Sequence, residues 1–460
     1  MRRDGRGFRG GSRWGAAVVA VSLAGHLVGC GQAPKRDVTT IRVWHWMTDR
    51  EDAFDTLAKR YQETHQIPVR FELYAPSDLY SQKVRAAAQT DGLPDIFGVL
   101  GELRDLTSFV KAGHILPLTS AMDENGAAWR KSFFPIALAM SAFREGNSYG
   151  APPGVYGVPI DVMNLQLFYN KRLLTKLGFD ADHPPKTWAE FLEVGKRAKA
   201  QGLIGMVSGW AELWLIDAFA NSYAIHLMGQ EKVAATFRGD LNYTDGAWIK
   251  VLDLFEQLRE SGLLTEDIVT MGNKRAEQLF ANEQAVFAFN GTWGVNVYQG
   301  MNANIDYGVM MLPPVRPERP MVTWGGAGAS FMVNARSPRA QQAVAFLHWL
   351  TDEEQQRFLL ETTHNLPANQ TFIQHHASDG TISGPLVAFA NGMEVVVHPR
   401  LFDVQEQSEV IEAFDKGIQS ILIGEKTPKQ VAQDVQQVKQ RQAVHQTGHQ
   451  AAMANVHVAR

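Results

Sequence analysis

The sequence predicts an α/β protein of two lobes, with mostly parallel sheets flanked by helices. Two observations support this prediction. Early in the chain, runs with strand periodicity alternate with runs of helical periodicity, an order typical of parallel sheets with crossover helices. The chain is also 460 residues long, which exceeds the size that one hydrophobic core usually serves.

The alternation begins at residues 40–46, which are predicted to form a strand, and continues with a helix at 49–64. Residues 67–74 alternate apolar and charged side chains, as a half-buried strand does, and residues 77–89 are again helical. An apolar run at 94–100 completes the order strand, helix, strand, helix, strand. Ligands of such sheets bind at the carboxyl ends of the strands, so aromatic and polar residues at those ends are site candidates.

The rest of the chain continues with helices and strands. A helix is expected to begin after Thr187, because Thr187 and Glu190 have the spacing of a capping box. A last helix is expected after Thr427, with Pro428 in its first position, and no pattern remains past Gln442. The other predicted strands are at 158–169, 285–289 and 307–312, and the range 322–333 holds a glycine-dense stretch before a last strand. Further helices are predicted at 119–144, 213–228, 248–261, 340–350, 352–363 and 409–423.

The N-terminus has the features of a secretory signal. Five arginines precede an apolar stretch at 14–28, which is short for a membrane span, and the stretch ends in Leu27-Val28-Gly29-Cys30. This tetrapeptide resembles the bacterial lipoprotein box, which implies cleavage before Cys30 and attachment of lipid to its thiol. We therefore expect a signal peptide at 1–29, a linker at 30–37, and an exported protein that is lipid-anchored to the cell membrane and faces the periplasm or the cell exterior. An uncleaved anchor with an ordinary buried cysteine is the alternative.

Composition excludes several classes of function. Cys30 is the single cysteine, so disulfides and cysteine zinc sites are excluded. The net charge is −4, and removal of the signal's five arginines and one aspartate leaves −8, so there is no electrostatic reason to bind nucleic acid. The sequence has no nucleophile elbow, HExxH, P-loop or Rossmann glycine motif. We expect no enzyme activity, no cofactor and no bound metal.

Short segments spread over nearly the whole chain match one family in the same order. Through them the sequence resembles the family 1 extracellular solute-binding proteins of ABC importers, the group that includes maltose-binding protein. The matching segments include Val43-Trp-His-Trp46, Leu93-Pro-Asp-Ile-Phe97, Ala112-Gly-His-Ile-Leu-Pro117, Tyr156-Gly-Val-Pro-Ile-Asp161, Leu167-Phe-Tyr-Asn-Lys171, Pro185-Lys-Thr-Trp-Ala-Glu-Phe191, Ala285-Val-Phe-Ala-Phe-Asn-Gly-Thr-Trp293, Tyr307-Gly-Val-Met-Met-Leu-Pro313, Trp324-Gly-Gly326 and Ala345-Phe-Leu-His-Trp-Leu350.

The resemblance implies the two-lobed periplasmic-binding-protein fold, in which each lobe is a mostly parallel sheet flanked by helices, strands cross between the lobes, and the ligand lies in the cleft between them. It also implies a monomer that captures a carbohydrate by hinge closure and delivers it to permease subunits in the membrane. Glycines 325, 326 and 328 and the segment near Leu118 are the expected hinge. We place the N-terminal lobe at 38–118 and 324–366, the C-terminal lobe at 119–323 and 367–442, and a disordered tail at 443–460.

A sugar site needs flat aromatic surfaces for the apolar face of the ring and carboxylates or amides for the hydroxyls. A buried indole offers roughly 150–250 Å² of surface, so each can contribute a few kcal/mol at ~25 cal/mol/Å². Trp188, Trp248 and Trp349 lie within helical patterns and are assigned to the core. The family resemblance gives most support to Glu102, Glu212 and Trp293. The expected ligand-binding residues are Trp44, His45, Trp46, Tyr80, Glu102, Asp161, Trp210, Glu212, Trp214, Trp293, Trp324 and Arg400.

Three alternatives to a carbohydrate receptor stay open. A polyamine receptor would use cleft carboxylates and aromatic residues, both of which the chain can supply. A receptor for a phosphorylated polyol would need arginines or lysines in the cleft, and few lie near the predicted strand ends. A glycosidase would need two facing carboxylates, for which Asp161 with Glu212 or Glu102 are the candidates.

Overall fold

Two long strands organise the sheet of this protein. The structure, a computed structural model, describes residues 39–100, 103–376, 378–402 and 404–458. The predicted signal peptide at 1–29, the linker at 30–37 with Cys30, and Glu102 lie outside the described residues. The strands are β1 (Ile41–His45), β2 (Val69–Leu73), β3 (Ile96–Phe97), β4 (Ala142–Phe143), β5 (Gly154–Val155), β6 (Val158–Asn170), β7 (Ile204–Val207), β8 (Ala285–Gly291), β9 (Tyr307–Met310), β10 (Thr323–Val333), β11 (Leu366–Pro367) and β12 (Val396–Val397).

The main sheet has the strand order β2-β1-β3-β10-β6-β8-β7. The long strands β6 and β10 pair with each other in its middle, from Gly325 opposite Asn164 to Phe331 opposite Val158. Beyond that stretch β10 continues alongside β3, and β6 continues alongside β8 and β9. These two strands therefore join a group built on β1 to a group built on β8.

The prediction of mostly parallel sheets needs correction. The pairs β1 with β2, β1 with β3 and β7 with β8 are parallel, as the helices between them require. The pairs that involve β6 with β8, β9, β10 and β11 are antiparallel. The sheet is mixed because β10 runs antiparallel to β3 and β6, and β6 runs antiparallel to its other partners, an arrangement that local periodicity does not reveal.

The helices flank the sheet, and most lie close to their predicted ranges. The helix predicted at 213–228 and the helix predicted at 340–350 have these bounds in the structure. The helices are α1 (Glu51–His65), α2 (Ser77–Gln89), α3 (Leu103–Lys111), α4 (Thr119–Lys131), α5 (Pro135–Ala139), α6 (Lys171–Lys176), α7 (Trp188–Ala200), α8 (Leu213–Met228), α9 (Gln230–Arg238), α10 (Gly246–Ser261), α11 (Asn273–Ala281), α12 (Gly294–Met301), α13 (Ala340–Leu350), α14 (Glu353–Thr363), α15 (Gln370–His375), α16 (Pro385–Gly392), α17 (Ser408–Leu422) and α18 (Pro428–Val458).

Both predicted helix caps are confirmed. The Thr187 side chain accepts a hydrogen bond from the backbone N–H of Glu190, and the Glu190 carboxylate accepts one from the backbone N–H of Thr187. Thr427 caps α18 in the same way, with Gln430 as its partner. These pairs satisfy N–H groups that a helix start otherwise leaves without partners.

Two helical predictions differ from the structure. The helix predicted at 119–144 is interrupted, because Glu124 to Ala127 leave helical geometry and a second short helix, α5, follows. Gly126 within this break has φ +71°, a conformation that glycine adopts without steric cost. At the other end of the chain the backbone of α18 stays helical to Val458, past residue 442, where the sequence pattern ends. The lobe boundaries themselves remain a prediction.

Apolar side chains form extended cores on both groups of strands. One core packs β1, α1, β10 and α13 together through residues such as Ile41, Phe54, Phe331 and Phe346. A second core surrounds β8 with α7, α8 and α10. Within the described ranges, no helix combines the length and the apolar content that a membrane span requires.

Candidate functional site

Trp214, Trp293 and Trp324 come together in the structure, and we call them the indole cluster. Trp214 lies in the first turn of α8, Trp293 follows the end of β8, and Trp324 lies near the start of β10. The ring centroids of Trp214 and Trp293 are 6.1 Å apart, and those of Trp214 and Trp324 are 5.8 Å apart. Trp214 and Trp293 keep part of their surface exposed, whereas Trp324 is 8% exposed.

The orientation of Trp293 depends on the glycine at the end of β8. A Cβ atom added to Gly291 would lie 1.9 Å from Cζ3 of Trp293 and 2.3 and 2.4 Å from two other carbons of the same ring. These distances place that position over the face of the ring. The indole therefore lies flat on the backbone of Gly291, and residue 291 must have no side chain for the ring to remain there.

Two carboxylates hold the edges of two indoles. The indole N–H of Trp214 donates to Oε2 of Glu212 at 3.3 Å, and the indole N–H of Trp293 donates to Oε1 of Glu277 at 3.3 Å. Glu212 also accepts a hydrogen bond from the backbone N–H of Asn273 at 2.9 Å. Flat aromatic surfaces with carboxylates at their rim are the combination that a sugar ring requires.

Glu277 was missed by the sequence analysis. It lies in α11, is 6% exposed, and accepts further hydrogen bonds from the side chains of Asn273 at 2.9 Å and Asn290 at 3.3 Å. Burial raises the pKa of its carboxyl, and the hydrogen bond from Asn290 partly opposes this effect. The sequence does indicate that Glu277 is buried, because Glu277 lies next to Ala276, Leu279 and Phe280 on the apolar side of a short amphipathic helix.

A cavity of about 660 Å³ adjoins the cluster, with Trp214 and Trp324 in its wall. The imidazole of His398 lies against Trp324 with ring centroids 4.2 Å apart. The indole N–H of Trp324 has no hydrogen-bond partner among the described residues. Tyr149 and Gln405 line this cavity and also a neighbouring cavity of about 340 Å³, so the two spaces share a border.

Four predicted ligand residues lie in the hydrophobic interior instead. Tyr80 and Trp210 have no exposed surface, His45 is 1% exposed and Trp44 is 5% exposed. Trp44 packs against Tyr74 with ring centroids 5.1 Å apart, and His45 packs against Phe54 with ring centroids 5.0 Å apart. Trp210 packs against Phe219 and Phe255. The Tyr80 hydroxyl accepts a hydrogen bond from the backbone N–H of Gly98 at 2.7 Å. For these four residues, packing in the hydrophobic core explains why an aromatic side chain is present.

Asp161 also has a structural explanation. Its Oδ2 accepts a hydrogen bond from the Arg50 guanidinium at 2.6 Å, and the two side chains are 6% and 9% exposed. Its Oδ1 accepts from the backbone N–H of Ala329 at 2.6 Å, where the register of β6 with β10 shifts. A side chain at position 328 would collide with this carboxylate. Asp161 therefore ties the crossing strands to the start of α1.

The remaining candidates are not joined to the indole cluster by the described contacts. Trp46 is partly buried, lies across Gly98, and packs against Tyr80 with ring centroids 5.1 Å apart. The backbone of Arg400 belongs to the short turn Pro399–Leu401, and its side chain lies outside the described part of the chain. For Trp46 and Arg400 a role in ligand binding stays a prediction.

Comparison with known proteins identifies the family to which this chain belongs. The profile of the family described as bacterial extracellular solute-binding protein matches residues 56–383, which is more than half of the chain. The protein belongs to this family, as the sequence motifs predicted. The family consists of exported binding proteins.

Curated relatives include receptors with different ligands in their names. The chain is 24% identical over 277 residues to the galactooligosaccharide-binding protein of Bacillus subtilis (strain 168), a match that covers 60% of this chain and 63% of that protein. It is 23% identical over 439 residues to the sn-glycerol-3-phosphate-binding periplasmic protein of Escherichia coli (strain K12), which covers 90% of this chain and 93% of that protein.

A solved structure confirms the fold. A chitin oligosaccharide binding protein superposes with a TM-score of 0.69 at 22% identity, over 87% of this chain and 98% of that protein. The predicted two-lobed α/β fold is therefore correct.

Proposed function

We propose that this protein is the substrate-binding lipoprotein of an ABC importer and that it captures a carbohydrate at the indole cluster. The observation that carries this proposal is the meeting of three indoles from distant parts of the chain, two of them held at their N–H edge by a carboxylate. It is supported by relatives and solved structures whose names include galactooligosaccharide and chitin oligosaccharide.

The physical basis is the two-sided character of a sugar ring. The C–H face of the ring stacks on an indole, and roughly 100 Å² of contact at ~25 cal/mol/Å² contributes about 2.5 kcal/mol. The hydroxyl rim needs acceptors, and Glu212 is an exposed acceptor beside Trp214. Because Glu212 already accepts from two N–H groups, its carboxylate is held in place before ligand arrives.

Delivery to the permease would depend on closure about β6 and β10, which connect the two groups of strands. Ligand that contacts both groups shifts the population from open to closed, and the closed form docks on the membrane subunits. The register shift at Ala329 and the glycines at 325, 326 and 328 support this part of the sheet as the hinge. The protein would act as a monomer and release its ligand unchanged, without enzyme activity.

A phosphorylated polyol is the second candidate, because the Escherichia coli relative is named for sn-glycerol-3-phosphate. Of the described side chains that line the larger cavity, none belongs to a lysine or arginine. A phosphate dianion is usually bound by such groups or by backbone N–H groups. The lining therefore disfavours a phosphorylated ligand. A polyamine would suit the carboxylates at the indole edges and is the third candidate.

Localisation follows from the N-terminal signal. We propose that the chain is cleaved before Cys30, that Cys30 carries the lipid, and that the mature protein is held at the cell membrane, facing the periplasm or the cell exterior.

Thermal-shift screening followed by calorimetric titration tests the ligand class. The panel should contain malto-, chito-, xylo- and galacto-oligosaccharides, free hexoses, polyamines and glycerol phosphates. We expect stabilisation by one carbohydrate group and none by the charged ligands. Stabilisation by glycerol phosphate or spermidine alone would refute the carbohydrate assignment, and release of shorter sugars during incubation would indicate a hydrolase.

A further inference from the structure

Glu277 is a buried carboxylate that forms no ion pair among the described residues, although the charge of Lys274 acts on it from a distance. It lies on α11 and is 6% exposed. None of the ion pairs in the described part of the chain involves it. Buried carboxylates are usually paired with a cation or bonded to several N–H groups. Glu277 belongs to the second kind, since its Oε1 accepts from the side chains of Asn273, Asn290 and Trp293.

These three donors come from separate structural elements. Asn273 is the first residue of α11, Asn290 lies near the end of β8, and Trp293 follows that strand. The Asn290 side chain also donates to the hydroxyl of Tyr298 at 3.0 Å, which links the carboxylate to α12. A single oxygen of Glu277 therefore connects helix, strand and indole.

Trp293 is constrained at two points as a result. One face of its ring lies on the backbone of Gly291, and its N–H edge points at Glu277. The indole can move only by rotation about its Cα–Cβ and Cβ–Cγ bonds, and the contact with Gly291 blocks movement toward one side. The hydrogen bond opposes movement away from that contact, because an N–H donor weakens steeply when it turns away from its acceptor.

The same network reaches Trp214. The backbone N–H of Asn273 donates to Glu212, whose other oxygen accepts from the indole N–H of Trp214. The order of contacts is Trp293, Glu277, Asn273, Glu212, Trp214. It joins the edges of two rings whose centroids are 6.1 Å apart.

We propose that Glu277 is a positioning residue of the ligand site: it fixes the Trp293 indole and, through Asn273 and Glu212, the angle between Trp293 and Trp214. This inference rests on the proposed function only in taking the indole cluster as the place where ligand stacks. Glu277 itself is largely covered and acts through the rings.

The test compares Glu277→Leu, which removes the acceptor, with Glu277→Gln, which keeps one. Gln257→Leu is the matched control, because Gln257 accepts from the indole N–H of Trp188 at 2.7 Å, and Trp188 is not part of the cluster. If Glu277→Leu does not fold, Glu277→Met replaces it with the same expectations. The binding probes are maltotriose and triacetylchitotriose, measured by titration calorimetry.

We expect Glu277→Leu to weaken binding of the probe that wild type binds by tenfold or more, and Glu277→Gln to stay within about threefold of wild type. In a Trp293→Ala background Glu277→Leu should have little further effect, because the ring that it positions is gone. A fall in melting temperature with unchanged affinity would show a purely structural role and overturn the inference.

A measurement without ligand separates this inference from the proposed function. Neighbouring indoles couple in the ultraviolet circular dichroism spectrum, and Trp293→Ala defines the part of that signal that Trp293 contributes. Glu277→Leu should lose that part, whereas Gln257→Leu should keep it. If the signal is lost in a protein that binds neither sugar, the positioning role is supported and neither probe is the ligand. If the signal is retained, the positioning role is refuted, whether or not the protein binds a sugar.

Discussion

Gly291→Ala is the most direct test of the indole cluster, because it displaces one ring without changing any polar group. The new Cβ would lie 1.9 Å from Cζ3 of Trp293, whereas ordinary contacts begin near 3.4 Å. The ring must therefore move by about 1.5 Å or turn away. Gly291 does not have a positive φ, so the substitution strains contacts and not the backbone.

The expected loss of affinity follows from the stacking area. If one sugar ring covers roughly 100 Å² of the Trp293 face, its displacement removes about 2.5 kcal/mol at ~25 cal/mol/Å². Each 1.4 kcal/mol is a factor of ten, so affinity should fall between about tenfold and a hundredfold. The free energy of unfolding should fall less, because Trp293 is only partly buried.

Titration calorimetry with the best ligand from the screen measures the effect, and tryptophan emission reports the ring. Gly300→Ala is the matched control, because Gly300 lies in α12 and a Cβ there meets no atom within 4 Å. That variant should bind like wild type and gain roughly 0.5–1 kcal/mol of stability from its better helix propensity. If Gly291→Ala binds as tightly as wild type with an unchanged emission spectrum, Trp293 does not contact ligand.

Three further predictions concern stability and location. Asp161→Ala should destabilise the protein by about 3–5 kcal/mol in urea unfolding, because it leaves the buried Arg50 guanidinium without its closest carboxylate; a change below about 1 kcal/mol would show that the pair does not tie the crossing strands. Burial and the nearby Arg50 lower the pKa of His45 from 6.5 to about 4. The unfolded chain therefore takes up a proton first, and stability is lost as the pH falls from 6.5 toward 4. This linkage amounts to about 2.5 kcal/mol at pH 4.5. His45→Gln should show a correspondingly smaller loss between pH 7 and 4.5 in urea unfolding, and identical losses in both proteins would contradict the burial of a neutral imidazole. Cys30→Ala should yield an unprocessed chain that leaves the detergent phase on phase partitioning, and continued partitioning would exclude the lipid anchor.

Much of the fold was accessible from local pattern. The capping box at Thr187, the apolar run of α8 and the residue alternation at 67–74 each depend on residues a few positions apart. The structure contains the capping box, α8 and the strand β2 at these places. The break in α4 and the antiparallel pairing of β6 with β8 were not predicted. The direction of β6 depends on strands elsewhere in the chain, whereas the break in α4 falls at residues 125–127, which adopt a positive φ.

The candidate site was predicted only in part for the same reason. Trp210 and Trp214 are four positions apart, yet Trp210 packs against Phe219 and Phe255 while Trp214 joins the indole cluster. Their neighbours along the chain do not distinguish them, since either could end a strand or begin a helix. Which one is covered depends on whether α10 or β10 lies beside it.

The sequence by itself determined the α/β class and the solute-binding family. It also contains Gly291, two positions before Trp293. These properties depend on residue types and short spacings, which the printed chain contains in full. Only the tertiary structure decided that Trp214, Trp293 and Trp324 meet, that Asp161 pairs with Arg50, and that Glu277 accepts from Trp293. Burial and hydrogen bonding between remote segments are set by how strands and helices pack, and packing is a property of the whole chain.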